Sequence, residues 1–222
     1  MPEQIEDPGD MMAGNVFYRS VKTAFRVFFT LYNRLEVRGR ENIPPGGAAI
    51  VASNHSSNID PPLIGSVYPG TLRYLAKDSL FSVPLLGFLI RALGAIPVSR
   101  QDSQRAGVVM KLLLERLGEG ETILVFPEGT RSRDGRLKPL EGGAAFLSVK
   151  AGTPVIPVFV RGSYKACPPG KMFPNPSKLV VSVSKPLFPD AGIESERERR
   201  LALTRSLEGA LRALASEAEH HD

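Results

Sequence analysis

One short segment of the sequence places a potential base close to a potential partner carboxylate. In ASNHSSNIDPP, residues 52–62, His55 stands five positions before Asp60. A regular helix would turn two such side chains about 140° apart, but the Pro61-Pro62 pair favours a loop that enters a helix, because the residue before a proline avoids helical geometry. There the carboxylate can hold one imidazole nitrogen and leave the other as a general base. The simpler interpretation is a turn histidine and a helix-capping aspartate.

A second segment carries a carboxylate and several cations directly after a predicted strand. The strand ends within VFPEGTRSRDGRLKP, residues 125–139, and the loop that follows contains Glu128, Gly129, Thr130 and Arg131. Loops just past strand carboxyl ends are where open α/β sheets build sites, and a planar guanidinium suits a phosphate. On charge alone, an exposed basic turn is an equal alternative. Nucleic acid is not expected as a partner, because the sequence has no nucleic-acid motif and this segment has no interleaved aromatics.

The segment of residues 13–35 has the pattern of an amphipathic helix. Apolar side chains recur at helical spacing along one face, at Phe17, Val21, Phe25, Phe28, Tyr32 and Leu35. The opposite face carries Arg19, Lys22, Arg26 and Asn33. Residues 13–40 hold six basic side chains and one acidic one, an excess equal to the formal net charge of +5 of the whole chain, which points to an anionic partner. Such a helix either packs on its own domain or lies in a membrane interface, with aromatics in the acyl boundary and cations on lipid phosphates.

Strand and helix patterns alternate along the rest of the chain. Short apolar runs such as AAIVASN, TILVF and VIPVFV are typical of buried strands, and segments such as SQRAGVVMKLLLERLGEG are typical of helices. The segment SLFSVPLLGFLIRALG is predicted as one helical segment. The alternation predicts the α/β class, with a mostly parallel mixed sheet flanked by helices. We expect a disordered or extended N-terminus at residues 1–12, the amphipathic helix at 13–35 and one domain at 36–218.

Several classes of protein lack their sequence signatures here. There is no nucleophile elbow G-x-S-x-G and no phosphate loop G-x-x-x-x-G-K-[ST]. A metal site is not expected, because the chain has three histidines and one cysteine. No apolar stretch approaches the roughly 20 residues that a membrane-spanning helix needs, and no export signal is expected. The remaining features suit a transferase that deprotonates a hydroxyl on a phosphorylated, lipid-associated acceptor.

Four blocks in this order resemble the glycerolipid acyltransferase family. They are NHSSNID (54–60), GAIPVSR (94–100), FPEGTRS (126–132) and VIPVFV (155–160). One such block is a weak signal, whereas four in order with these spacings are specific. The resemblance extends over roughly residues 35–190 and is strongest to the bacterial 1-acylglycerol-3-phosphate acyltransferases.

The resemblance implies a direct acyl transfer and a role for each site residue. His55 would act as general base on the acceptor hydroxyl, and Asp60 would orient it. The glycerol phosphate would be bound by Arg100, Glu128, Gly129, Thr130 and Arg131. Backbone N–H groups at residues 56–60 are candidates to stabilise the oxyanion that develops on the thioester.

The resemblance also implies the substrates and the location. The donor would be a thioester of coenzyme A or of acyl carrier protein, used as a co-substrate without a bound cofactor or metal. The acceptor would be 1-acylglycerol 3-phosphate (lysophosphatidic acid), giving phosphatidic acid in phospholipid biosynthesis. The protein would be peripheral or monotopic at the cytoplasmic face of the cell membrane, and the helix at 13–35 would lie in the membrane interface.

Two departures from the family pattern leave alternatives for the acceptor. Ser99 stands where the family usually has an acid, and Glu141 stands where it often has a lysine. Another lysophospholipid or glycerol 3-phosphate therefore stays open as the acceptor. A non-catalytic lipid-binding protein on the same fold is the alternative from another class, and the presence of His55 and Asp60 argues against it.

Overall fold

A seven-stranded sheet forms the centre of the part of the chain that the computed structural model describes, which is residues 16–98, 103–171 and 173–219. The strands are, in chain order, Glu36–Arg38 (β1), Ala49–Ser53 (β2), Leu72–Lys77 (β3), Ala95–Val98 (β4), Thr122–Val125 (β5), Val155–Arg161 (β6) and Val180–Val183 (β7). Their order across the sheet is β1-β7-β6-β2-β5-β3-β4. Neighbouring strands pair in parallel except β6 and β7, so β1 and β7 run against the other five strands. The predicted mostly parallel mixed sheet is confirmed.

The helices of the described residues follow the predicted alternation with two differences. They are Val16–Asn33 (α1), Asp60–Val67 (α2), Asp78–Phe81 (α3), Pro84–Ala92 (α4), Ser103–Gly118 (α5), Gly143–Ala151 (α6), Ser163–Ala166 (α7) and Glu196–Glu219 (α8). The segment expected as one helical stretch is divided into α3 and α4. The division falls before Pro84, which has no N–H to donate, and Val83 is extended with φ −78° and ψ 121°. Strand β1 and helix α7 were not anticipated, because three or four residues give no periodic pattern.

The central strand β2 is buried on both faces of the sheet. Val51 belongs to the core beneath α1 and α2, whereas Ile50 and Ala52 belong to the core beneath α5, α6 and α8. Successive side chains of a strand point to opposite faces, and a strand covered on both faces is apolar throughout. Because helices cover both faces, the ends of the strands are the places left for a polar site.

Helix α1 packs against α2, but mostly through a face that the periodicity did not single out. Its buried aromatic side chains are Phe29, which is 1% exposed, and Tyr18, and neither belongs to the expected stripe. Half of that stripe is partly buried against the core, namely Val21, Phe25 and Leu35. The other half is exposed, namely Phe17, Phe28 and Tyr32. The stripe is thus divided between the core and the exposed surface, because α1 is apolar around much of its circumference and spacing alone does not choose between its faces.

Two side chains of the expected polar face of α1 also contact the domain. The ammonium of Lys22 donates to the carbonyl oxygens of Pro69 and Gly70 at 3.1 and 2.9 Å. Asn33 is fully buried, and its amide nitrogen donates to two carbonyl oxygens in the loop before β7. Lys22 is therefore engaged by the protein itself, which corrects the expectation that it faces lipid phosphates.

The ends of the predicted segments fall partly outside the described residues. The predictions for residues 1–12 and for residues 13–15 concern positions outside the described part of the chain.

Among the described helices, none combines the length and the apolar character that crossing a membrane requires.

Candidate active site

The loop between β2 and α2 brings His55 and Asp60 together. The Nδ1 atom of His55 lies 2.9 Å from Oδ2 of Asp60, the first residue of α2. The same oxygen accepts the backbone N–H groups of Ser56 and Ser57 at 2.7 Å each, and Asp60 is fully buried. The loop is therefore folded around the carboxylate. With Nδ1–H donating to it, Nε2 of the imidazole is left as the acceptor nitrogen.

The imidazole ring is also held from one side by an aromatic ring. The rings of His55 and Phe126 are stacked, with centroids 3.9 Å apart and planes inclined by 18°. Phe126 directly follows β5, which pairs with β2, so the two loops leave the sheet side by side. The side chain of His55 is 12% exposed, so part of it remains accessible to an incoming group.

Glu128 connects the loop after β2 to the loop after β5. Its side chain is 4% exposed, Oε1 accepts the His55 N–H at 2.7 Å, and Oε2 accepts the Lys138 N–H at 2.8 Å. Burial raises the pKa of the Glu128 carboxyl above its usual value, and the two N–H donors partly oppose this effect. Both oxygens face the protein backbone. The side chain expected to bind glycerol phosphate thus lies beneath the loops and positions the residue that carries the imidazole.

Gly129 occupies a backbone conformation that favours glycine. Its φ is +68°, and a Cβ atom there would collide with the carboxylate of Glu141. Glu141 is fixed by its own N–H, which donates to the carbonyl of Pro127 at 2.6 Å. The residue that departs from the family pattern therefore lies against the FPEGTRS loop.

The two residues after Gly129 carry polar groups on the exposed side of the same loop. Thr130 Oγ1 accepts a hydrogen bond from the ammonium of Lys138 at 2.6 Å. Nη1 of Arg131 donates to Oδ1 of Asn58 at 2.6 Å. Two cations thus lie on the loop beside His55. Arg100, the further phosphate contact expected from the sequence, lies outside the described residues.

Most of the backbone N–H groups considered for the oxyanion are already engaged. Those of Ser56 and Ser57 donate to Asp60, that of Ile59 donates to Ser57 Oγ at 3.3 Å, and that of Asp60 donates to the Ser57 carbonyl at 3.3 Å. The expectation that this stretch supplies oxyanion donors is wrong for these four groups. They hold the loop around the carboxylate instead.

Three residues at the site were not assigned a role from the sequence. They are Asn58, Phe126 and Lys138. The first two lie inside the NHSSNID and FPEGTRS blocks, and the third lies in the basic loop. Their location in these segments could have marked the three residues as site candidates. The contacts that they make depend on the parallel pairing of β2 with β5.

The arrangement combines an oriented imidazole with a cationic loop at the carboxyl ends of two adjacent parallel strands. Such strand ends are the usual position of sites in open α/β sheets. The imidazole can accept a proton at Nε2, and a guanidinium can bind a phosphate.

Comparison with known proteins identifies the family. The acyltransferase family model matches residues 34–161. The chain belongs to the acyltransferase family. It is 31% identical over 159 residues to a chloroplastic 1-acyl-sn-glycerol-3-phosphate acyltransferase of Brassica napus, a match that covers 71% of this chain and 46% of that protein. It is 26% identical over 204 residues to the 1-acyl-sn-glycerol-3-phosphate acyltransferase of Bacillus subtilis, covering 91% of this chain and 98% of that protein.

A solved structure supports the same assignment of fold. The crystal structure of the 1-acyl-sn-glycerophosphate acyltransferase PlsC from Thermotoga maritima superimposes with a TM-score of 0.74 and 32% identity, covering 89% of this chain and 79% of that one. The chain spans about half the length of the plant and algal relatives that it matches. The predicted membership of the glycerolipid acyltransferases and the predicted fold are confirmed.

Proposed function

We propose that the protein transfers a fatty acyl chain from a thioester to the free hydroxyl of 1-acylglycerol 3-phosphate, forming phosphatidic acid. One observation carries the proposal: the His55–Asp60 pair is tied to the Arg131 loop. The His55 carbonyl accepts the N–H of Ser132 at 2.7 Å, and the Glu128 carboxylate accepts the N–H of His55. A base and a phosphate-binding cation on one rigid unit suit an acceptor whose hydroxyl lies close to its phosphate. The names of the relatives support the same acceptor.

The reaction needs one base and no resident cofactor. The acceptor hydroxyl gives its proton to Nε2 of His55 as its oxygen bonds to the thioester carbonyl carbon. The positive charge that forms on the imidazole is stabilised by the buried Asp60 carboxylate at 2.9 Å. Collapse of the tetrahedral intermediate breaks the C–S bond, and the thiolate takes the proton back from His55. The products are an ester and a free thiol.

The donor is a thioester of coenzyme A or of acyl carrier protein.

The acyl chain of the acceptor is held in the membrane, which the protein contacts through an apolar surface of its own. We assign this protein surface to exposed apolar side chains of α1, α3 and α4 and of the turns next to them. These are Val16, Phe17, Val27, Phe28, Leu31, Leu80, Val83, Leu86 and Phe88. The rings of Phe17 and Phe88 are in edge contact with centroids 5.6 Å apart, which makes the two helices neighbours in one apolar surface. The protein acts at the cytoplasmic face of the membrane as a peripheral or monotopic protein.

The activity is tested with the purified chain and a matrix of substrates. Acyl-coenzyme A and acyl carrier protein donors are each offered lysophosphatidate, glycerol 3-phosphate, a lysophospholipid with a larger headgroup, and 1-acylglycerol without phosphate. Products are identified by mass, and free thiol is followed in parallel. We expect phosphatidic acid as the main product. Thiol release without any acylated product, or preference for the acceptor without phosphate, would overturn the proposal.

The membrane surface is tested by vesicle co-sedimentation. A Leu31→Ser/Phe88→Ser variant should partition at least about tenfold more weakly onto anionic vesicles, since each large apolar side chain contributes about 1.5 to 3 kcal/mol when fully buried. Leu201→Ser is the matched control, because Leu201 is an exposed leucine of α8 on the opposite side of the sheet. Equal losses in both variants, or no loss in either, would contradict this surface.

A further inference from the structure

Asn58 lies between the base and its partner in the loop that carries both, yet no step of the proposed reaction uses it. It is three residues after His55 and two before Asp60, and its side chain is exposed. Its Oδ1 accepts a hydrogen bond from Nη1 of Arg131 at 2.6 Å. Within the described residues, its amide nitrogen makes no hydrogen bond. The amide oxygen is therefore held by Arg131, whereas the amide nitrogen is available to donate to a ligand.

The chemistry of the two side chains explains what this contact does. A carboxamide has one acceptor oxygen and one NH₂ group in the same plane, and a guanidinium has only donors. When the oxygen is used by the guanidinium, the groups that both residues still offer are N–H donors. Two neighbouring donor groups, one of them charged, match the oxygens of a phosphate.

We propose that Asn58 is a specificity-determining residue that binds the acceptor phosphate together with Arg131. The inference rests on the proposed function and deepens it. In 1-acylglycerol 3-phosphate, only two carbon atoms separate the free hydroxyl oxygen from the phosphate-ester oxygen. The phosphate must then lie close to the base, and Asn58 is the exposed polar side chain of the His55 loop that contacts the arginine.

The contact also sets the orientation of the guanidinium. Arg131 is on the loop after β5 and Asn58 is on the loop after β2, so their hydrogen bond spans the two strands that form the site. Without it the arginine side chain gains rotameric freedom, and that freedom is lost again when phosphate binds. Asn58 thus contributes both a direct donor and a fixed position for the charge.

The test is Asn58→Asp, which keeps the shape of the side chain. It replaces the NH₂ donors by an acceptor oxygen and pairs a negative charge with Arg131. We expect the KM for lysophosphatidate to rise by about tenfold or more. The thioester KM and the kcat at saturating acceptor should stay within about threefold. The preference for lysophosphatidate over 1-acylglycerol should fall by a similar factor, since the neutral acceptor has no phosphate to lose.

Lys111→Gln is the control for the change in net charge, because Lys111 is an exposed residue of α5 that carries none of the site. Its kinetic constants should match those of the unchanged chain. An Asn58→Asp variant with an unchanged acceptor KM would overturn the inference. So would an equal rise in both KM values, or a fall in kcat alone.

A failure of the proposed function is distinguishable from a failure of this inference. If the unchanged chain gives no phosphatidic acid, the proposed function fails. The role of Asn58 is then measured by calorimetric titration of glycerol 3-phosphate into the unchanged chain and the Asn58→Asp variant. Binding that is about tenfold weaker in the variant supports the assignment. Equal affinities, or no binding to either chain, overturn it.

Discussion

The loops of the candidate active site and helix α1 are held to the domain by different kinds of contact. In the loops, the two buried carboxylates are held by hydrogen bonds: Asp60 Oδ2 accepts three, and the two oxygens of Glu128 each accept a backbone N–H. In α1, the buried face is chiefly aromatic, and an equally apolar face is exposed. A buried polar group needs a hydrogen-bonding partner, whereas an apolar side chain can pack against any apolar surface.

The largest expected effect separates chemistry from stability at the loops. His55→Ala should lower kcat on the order of 100-fold or more, because it removes the proposed general base. The free energy of unfolding should change little, since the loop is held by the His55 backbone and the Asp60 carboxylate rather than by the imidazole. Turnover on lysophosphatidate and a denaturant titration measure the two quantities. Near-normal turnover in a folded variant would end the proposed mechanism.

A matched pair on α1 tests which of its faces packs. Phe29→Ala should destabilise the protein by about 3 to 5 kcal/mol, because Phe29 is almost fully buried. Leu31→Ala should stay within about 0.5 kcal/mol, because Leu31 is 78% exposed. Chemical denaturation of both variants measures the difference. Similar losses would mean that α1 packs through the other face.

Glu128→Gln tests whether the buried carboxylate positions the base. The amide nitrogen would replace one of two acceptor oxygens and face a backbone N–H, at a cost of about 1 to 3 kcal/mol in stability. We expect kcat to fall by about tenfold, and the acceptor KM to change less than it does in Asn58→Asp. If the acceptor KM rises and kcat does not fall, Glu128 contacts the substrate instead.

The smallest expected effect concerns the polar anchor of α1. Burial, followed by Arg40 and Arg19, lowers the pKa of Lys22 from 10.5 to about 8. In the unfolded chain the pKa returns to its ordinary value, so between pH 8 and 10.5 the unfolded state binds more protons. The contribution of Lys22 to the free energy of unfolding should therefore rise with pH across this interval.

Lys22→Met isolates this contribution. The unchanged chain and the variant should differ more in unfolding midpoint at pH 9.5 than at pH 7. At pH 7 the hydrogen bonds from Lys22 to Pro69 and Gly70 are worth about 1 kcal/mol net. Equal differences at both pH values would show that Lys22 titrates as an ordinary exposed lysine.

The sequence by itself determined the alternation of strands and helices and the residues of the site loops. The alternation required a mostly parallel sheet, and the motif blocks placed His55, Asp60 and the FPEGTRS loop after strands. Since parallel strands end at one edge, these loops were expected at the same edge of the sheet. The pairing of His55 with Asp60 was one of two interpretations that the spacing allowed.

Only the tertiary structure decided which groups meet and which face of α1 is covered. It directed Glu128 to the backbone N–H groups of His55 and Lys138, and it brought Asn58 to Arg131 across two strands. It buried Phe29 and left Phe28 exposed on the same helix. Hydrophobic burial is non-directional, so a helix with apolar residues on most sides turns toward whatever surface the rest of the chain provides. That surface, here α2 and the sheet beneath it, exists only after the distant segments have folded together.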